Sequence, residues 1–143
     1  MPSHHRPDHY QISTDIPNIR SAFPKQTGAT DTTLGVGLYK DATSSNIIRS
    51  LIQFDTSTIP QGAKVLTADL NLWLASVSNN TNVDITLNSV NKAWTEYSAS
   101  WMYADATNLW SKQGGDFNSS QVATTTVGPC VNVEGQEHSP ISD

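Results

Sequence analysis

An all-β, antiparallel fold is predicted for this 143-residue chain on three observations. Apolar residues recur at every second position in several short runs, which is the period of a pleated strand. Gly, Pro and Asn punctuate those runs at short intervals, as in sandwiches and barrels. Charged residues make up only 15% of the chain, below the roughly 25% usual for globular domains, and Ser, Thr and Asn fill the gap. Those side chains favour strand faces and turns over helix interiors. No long stretch shows a 3.6-residue period with caps, so helix is limited to a turn or two, around residues 56–59 and 104–109.

The elements follow in order. Residues 1–14 mix His4, His5 and His9 with Pro2 and Pro7 without any period, and read as a loosely ordered lead-in with one short strand around residues 10–13. Pro7 opposes the helix that would set His5 and His9 on one face, so a metal motif is not indicated there. In residues 33–39, Leu34, Val36 and Leu38 alternate with Gly35, Gly37 and Tyr39, a period of two. Residues 46–55 carry Ile47, Ile48, Leu51, Ile52 and Phe54, a strand expected to be buried on both faces. Pro60, Gln61 and Gly62 then supply the fixed and the permissive φ of a tight turn.

The strongest alternation lies in residues 65–74, where Leu66, Ala68, Leu70, Leu72 and Leu74 share one face and Val65, Thr67, Asp69, Asn71 and Trp73 the other. The leucine face is expected to turn inward. Val83, Ile85 and Leu87 repeat the pattern, and the spacing predicts an antiparallel hairpin with the leucine strand. Thr-rich residues 122–127 form the last strand. A single domain over residues 15–127 is expected, followed by a polar tail over 128–143.

The formal net charge is −5 and the pI near 5.1, with no Lys/Arg cluster, which excludes a sequence-independent nucleic-acid footprint. No apolar run approaches the roughly 18 residues of a membrane-spanning helix, and the first ten residues lack the apolar core of a secretory signal. The chain is then either cytosolic or an internal piece of a longer exported one. Cys130, the single cysteine, closes no intrachain disulfide and reads as an incidental thiol in the tail.

Residues 49–65, beginning Arg49-Ser50-Leu51-Ile52-Gln53-Phe54-Asp55 and continuing through Ile59-Pro60-Gln61-Gly62, carry a recognisable pattern with Ala68-Asp69-Leu70-Asn71-Leu72, Val90, Trp94, Glu96 and Ser100-Trp101. It resembles the DNRLRE domain, or disaggregatase-related repeat, grouped with the family ninety-six carbohydrate-binding modules. The likeness extends from about Leu34 to Phe117, with Trp110 and Gly114-Gly115-Asp116-Phe117 also fitting. It implies a jelly-roll-like β-sandwich serving as an accessory module of secreted or surface-attached proteins, often beside polysaccharide-degrading domains. The start matches only loosely over residues 15–33. The family continues past the strand at 122–127 with further core strand, so the resemblance implies a sandwich missing its last strand or strands, a fragment with an exposed backbone ladder.

Within that pattern Arg49, Phe54, Asp55, Pro60, Gly62, Trp94, Glu96 and Trp101 are read as structural. Arg49 stands among apolar residues and needs a carboxylate or carbonyl partner, for which Glu96 is the preferred choice. Asp55 is placed as the cap of the turn after it. His138 lies in the tail and the other histidines in the lead-in, so no nucleophile–base pair is indicated. No catalytic residue is assigned and no enzyme is expected. Gly114-Gly115 lacks the Lys and helix of a phosphate cradle. No cofactor is called for, beyond a structural Ca²⁺ that the oxygen-rich loops 41–46 and 105–108 have the ligand chemistry to hold.

Binding is the chemistry the residues favour. Sugars stack C–H faces on aromatic rings while their hydroxyls bond Asn, Asp and Thr. Trp73, flanked by Asn71 and Asp69 on the polar face, fits best, and Trp110, Tyr97, Tyr103 and Tyr39 are further contact candidates. The expected partner is a polysaccharide or cell-surface glycan, with the chain fused to other domains, extracellular, and not inserted in a membrane. The alternative is a spacer or adhesion module in a surface protein. The acidic balance argues against a polyanionic glycan unless Lys40, Arg49, Lys92 or Lys112 converge.

Overall fold

The computed structural model describes residues 14–78 and 80–129. The expectations for the strand at 10–13, for His4, His5, His9 and His138, and for Cys130 lie outside the described residues. The described chain is all-β and antiparallel, with strands β1 Thr14–Asp15, β2 Asn18–Arg20, β3 Gly37–Lys40, β4 Ser45–Ser50, β5 Gln53–Phe54, β6 Val83–Val90 and β7 Phe117–Val127. No helix occurs among the described residues, none therefore long and apolar enough to cross a membrane. The chain divides into two units interleaved along it: Met1–Lys64 with Trp94–Gly115, and Val65–Ala93 with Asp116–Asp143.

In the first unit β4 lies between β2 and β3, and β1 pairs with β5. The register that sets Arg20 against Ile48 continues unchanged to Thr14 against Phe54. The gap between β1 and β2 falls at Pro17, which has no N–H to give the ladder, yet the Pro17 carbonyl still accepts from Leu51 N–H at 3.0 Å. The expected single strand over 46–55 is thus two strands. It is also not buried on both faces: Leu51 is buried, β4 is mostly half-buried, and Phe54 is 42% exposed. The Asn18 amide, itself buried, ties this sheet together. Its Nδ2 donates to Thr33 O at 2.8 Å, and its Oδ1 accepts from Gly35 N–H at 2.9 Å and the Ser50 hydroxyl at 2.7 Å.

The core of this unit is Ile19, Leu51, Trp94, Ala99, Trp101, Ala104 and Trp110. Three of these are tryptophans, each large enough to dominate the area removed from water. Residues 94–115 coil tightly around them: Ser100 N–H donates to Tyr103 O at 2.8 Å, Ala104 N–H to Asn108 O at 2.8 Å, and Gly114 N–H to Trp101 O at 2.7 Å. Residues 56–59 and 104–109 form hydrogen-bonded turns where a turn or two of helix was expected. At the tight turn Ala63 N–H donates to Pro60 O at 3.1 Å, and Gly62 takes φ 82°, the left-handed third position of a type II turn.

The second unit contains the β6–β7 ribbon, registered from Val83↔Val127 to Val90↔Phe117 with shifts around Asn88. Val83, Ile85 and Leu87 are half-buried and Asp84 and Thr86 exposed, so the predicted alternation is seen in β6. The predicted hairpin with residues 65–74 is not: β6 takes β7 as its ladder partner. The β-branched residues of β7 suit that pairing. Residues 65–71 form no strand, since alternation specifies a face and not a hydrogen-bonding partner. Leu66, expected inside, is 81% exposed and Ala68 is exposed too, while Leu70, Leu72 and Leu74 are half-buried.

Candidate functional site

Two surfaces carry side chains suited to a ligand, one in each unit. In the second unit Asp69, Asn71 and Trp73 are exposed while the leucines between them are half-buried, so the polar face of residues 69–74 is wet as the alternation predicts. Trp73 is 69% exposed, a large flat ring offered to solvent with an amide two residues away and a carboxylate four away.

The first unit carries an open depression of about 570 Å³ lined by Asp15, Gln53, Phe54, Asp55, Thr56 and Ser57. The β1–β5 register places Asp15 directly opposite Gln53, on one pleat. Asp55 accepts from Ser57 N–H at 2.9 Å, and its carboxyl is lowered by the Ser57 side chain and backbone together. Asp15 shares a side-chain hydrogen bond with Glu96. Desolvation, and then the neighbouring Asp15 charge, push the Glu96 carboxyl above the usual carboxylate range.

Glu96 is therefore not the partner foreseen for Arg49. Arg49 donates from Nη1 to the Gly114 carbonyl at 2.8 Å and lies 5.0 Å from the centre of the Trp101 ring, a cation–π distance. Burial lowers its pKa, and a carbonyl beside an aromatic face satisfies the guanidinium without a second buried charge. Trp94 and Trp101 are buried.

Trp110, one of the expected contact residues, is also buried. It is 4% exposed, and its Nε1 donates to Ser100 O at 2.8 Å, so no ring face remains for a ligand. Tyr103 is half-buried and bridges to Leu109. Tyr39, on the edge strand β3, is 62% exposed and Tyr97 is 77% exposed. The depression was not foreseen as a site, although its signal was present: Gln53 to Ser57 are five successive residues that place an amide, a ring, a carboxylate and two hydroxyls together.

The loops with calcium-like composition fold on themselves. Asp41 Oδ1 accepts from Thr43 N–H at 2.8 Å and Ser44 N–H at 2.7 Å, and Asp105 Oδ1 from Thr107 N–H at 2.9 Å and Asn108 N–H at 2.7 Å. Both carboxyls are held down at about 2. For Asp41 the Thr43 backbone bond leads, and for Asp105 the Asn108 side chain does. Among the described residues no three His, Cys, Asp or Glu side chains are grouped as metal ligands.

Across both units, residues 18–127 match the profile of Carbohydrate-binding module family 96. The chain belongs to that family. No curated protein and no solved structure gave a match. The matched span starts three residues inside the expected 15–127 domain and ends with it. Membership makes a carbohydrate the ligand class against which the module's two surfaces are weighed.

Proposed function

We propose that this chain is a noncatalytic polysaccharide-binding module of a secreted or cell-surface protein, fused there to other domains, and that it docks glycan on the Trp73 face. The observation that carries the proposal is the exposure of Trp73, 69% accessible beside exposed Asn71 and Asp69, in a member of a carbohydrate-binding family. The Trp73 ring offers a π-face to the C–H side of a pyranose, while the amide and carboxylate bond equatorial hydroxyls.

Affinity electrophoresis against neutral and acidic polysaccharides tests this. Retardation by at least one polysaccharide, abolished by Trp73→Ala, is the expected result. Retardation untouched by Trp73→Ala removes the proposed face, and no retardation by any polysaccharide leaves a spacer or adhesion role. Incubated polysaccharide is expected to release no reducing ends.

A further inference from the structure

The three-stranded sheet of the first unit has one open edge. Its order β2-β4-β3 leaves the outer side of β3 without a strand among the described residues, whereas β2 at the other edge is mostly buried. Two hydrogen bonds fix which backbone groups face outward along β3. Asp41 N–H donates to Ser44 O at 3.0 Å, and Gly35 O accepts from the Ser50 hydroxyl at 2.8 Å, so residues 35 and 41 turn their backbone towards β4. The ladder between them runs unbroken from Gly37↔Ile48 to Lys40↔Ser45. Backbone direction alternates along a strand, so Val36, Leu38 and Lys40 point their N–H and C=O groups away from the sheet. Val36, Leu38 and Tyr39 are all exposed, and Lys40 is the only charged residue from Leu34 to Lys40. Such an edge is a template for another strand.

We infer that β3 pairs antiparallel with β3 of a second copy of this chain, across a two-fold axis at Leu38 that joins the two sheets edge to edge. A two-fold perpendicular to the sheet must pass through a residue pair, so few registers are open, and the side chains choose among them. Centred on Leu38, each Leu38 stands opposite the other, Val36 opposite Lys40 of the second copy, and Gly37 opposite its Tyr39. The outward N–H and C=O groups of Val36, Leu38 and Lys40 are then all paired, in about six hydrogen bonds. Leu38 meets Leu38, and Val36 meets the aliphatic stem of Lys40. Gly37 and Tyr39 form the closer, non-hydrogen-bonded kind of pair. A Cβ on Gly37 would meet nothing within 4 Å, which leaves room for the Tyr39 ring of the other copy over the bare backbone.

Charge and shape disfavour the neighbouring registers. A centre at Lys40 opposes two ammonium groups directly, and one at Tyr39 leaves them two positions apart. A centre at Gly37 faces glycine with glycine. The Leu38 centre separates the two Lys40 residues by four positions, about 14 Å, which is beyond the Debye length of about 8–10 Å. Because β2 is mostly buried, the sheet has no second open edge, and the contact closes as a pair instead of growing into a fibre. Six ladder bonds fall short of the ten or so of a standard interface, so the pair is weak, with a Kd on the order of 100 μM.

Sedimentation of the full chain from about 10 μM to about 1 mM tests this. The mass is expected to climb from 15.5 kDa towards twice that value. Leu38→Lys sets two ammonium groups opposite each other at the axis and is expected to weaken association at least about tenfold. Position 38 is exposed, so the native fluorescence of the buried Trp94, Trp101 and Trp110 is expected to survive. Cross-linking in a Cys130→Ser background reads the register. Leu38→Cys puts two thiols on Cα atoms about 5.5 Å apart, within disulfide reach, and is expected to yield a covalent dimer in air. Lys40→Cys puts them about 14 Å apart and is expected to yield none. A chain that stays monomeric throughout overturns the inference, as does association that Leu38→Lys leaves unchanged, or a mass that rises past two chains. Cross-linking of Leu38→Cys no greater than that of Lys40→Cys overturns the pairing, and these two variants decide the matter if Leu38→Lys loses its native fluorescence.

Discussion

The two units are made from the same polar, β-prone composition, and they spend it differently. Every fully buried residue among those described belongs to the first unit, where three tryptophans and the Asn18 amide hold short strands and turns together. The second unit shows a long two-stranded ribbon and the leucine run, with no fully buried residue among those described. Strand length and burial are thus inversely arranged. Two- and three-residue strands stand in the unit that holds the buried tryptophans, while the eleven-residue β7 stands in the unit with no buried residue among those described. That contrast predicts that stability in this chain follows side-chain packing more than strand length.

The sharpest way to break that contrast is at Trp110. Trp110→Ala opens a cavity and removes the bond to Ser100 O, and is expected to cost roughly 3–5 kcal/mol, read as a fall in the denaturant midpoint together with a loss of native Trp fluorescence. Gly114→Ala is the next step down. Gly114 has φ 92°, and a Cβ there would stand 2.6 Å from Arg49 Nη1 and 2.8 Å from the Trp101 ring. Backbone strain plus displacement of the guanidinium is expected to cost about 1–3 kcal/mol. Equal stability of this variant and the native chain in thermal melts would show that the Arg49–Trp101–Gly114 contact is not a brace.

Acid provides a gentler probe of the first unit. Asp41 and Asp105 titrate near 2 when folded, against a usual 3.8. Their folded pKa values are depressed, so their contribution is present above about pH 4 and fades as pH falls towards 2. Glu96 acts in the opposite sense, since its raised folded pKa disfavours the folded state at neutral pH and that penalty is relieved as it protonates. Asp41→Asn with Asp105→Asn is expected to flatten the acid limb of the urea midpoint. The smallest effect is expected in the second unit: Leu66→Ala, at a position 81% exposed, should change stability by less than about 0.5 kcal/mol. A melt shifted well beyond that would mean the leucine run is held by contacts absent from the described structure.

Much of this was readable from residues alone, and the limits are physical. The all-β class, the Pro60–Gly62 turn and the alternation in residues 83–87 follow from local rules of φ and pleat. The hairpin between residues 65–74 and β6 did not form because alternation chooses a face, whereas pairing depends on which distant strand arrives. Here that strand is Phe117–Val127. Arg49's need for a polar partner was evident, but a carbonyl sixty-five residues away carries no signature in sequence. Trp110 shows the same limit for the site. A tryptophan in a loop looks available until the coil of residues 94–115 closes over it. Trp73 was legible because its exposure depends only on its neighbours' alternation.

The interleaving of the two units governs the order of events at the ribosome. Neither is a continuous piece of chain, and the tryptophans that complete the first unit emerge only after the opening half of the second. Domains usually fold as units as they are synthesised, N-terminal first. Here β1–β5 must wait for residues 94–115, and β6 for β7, so neither unit is complete until chain from beyond the other's opening half has been made. That interval is when a chaperone has most to hold.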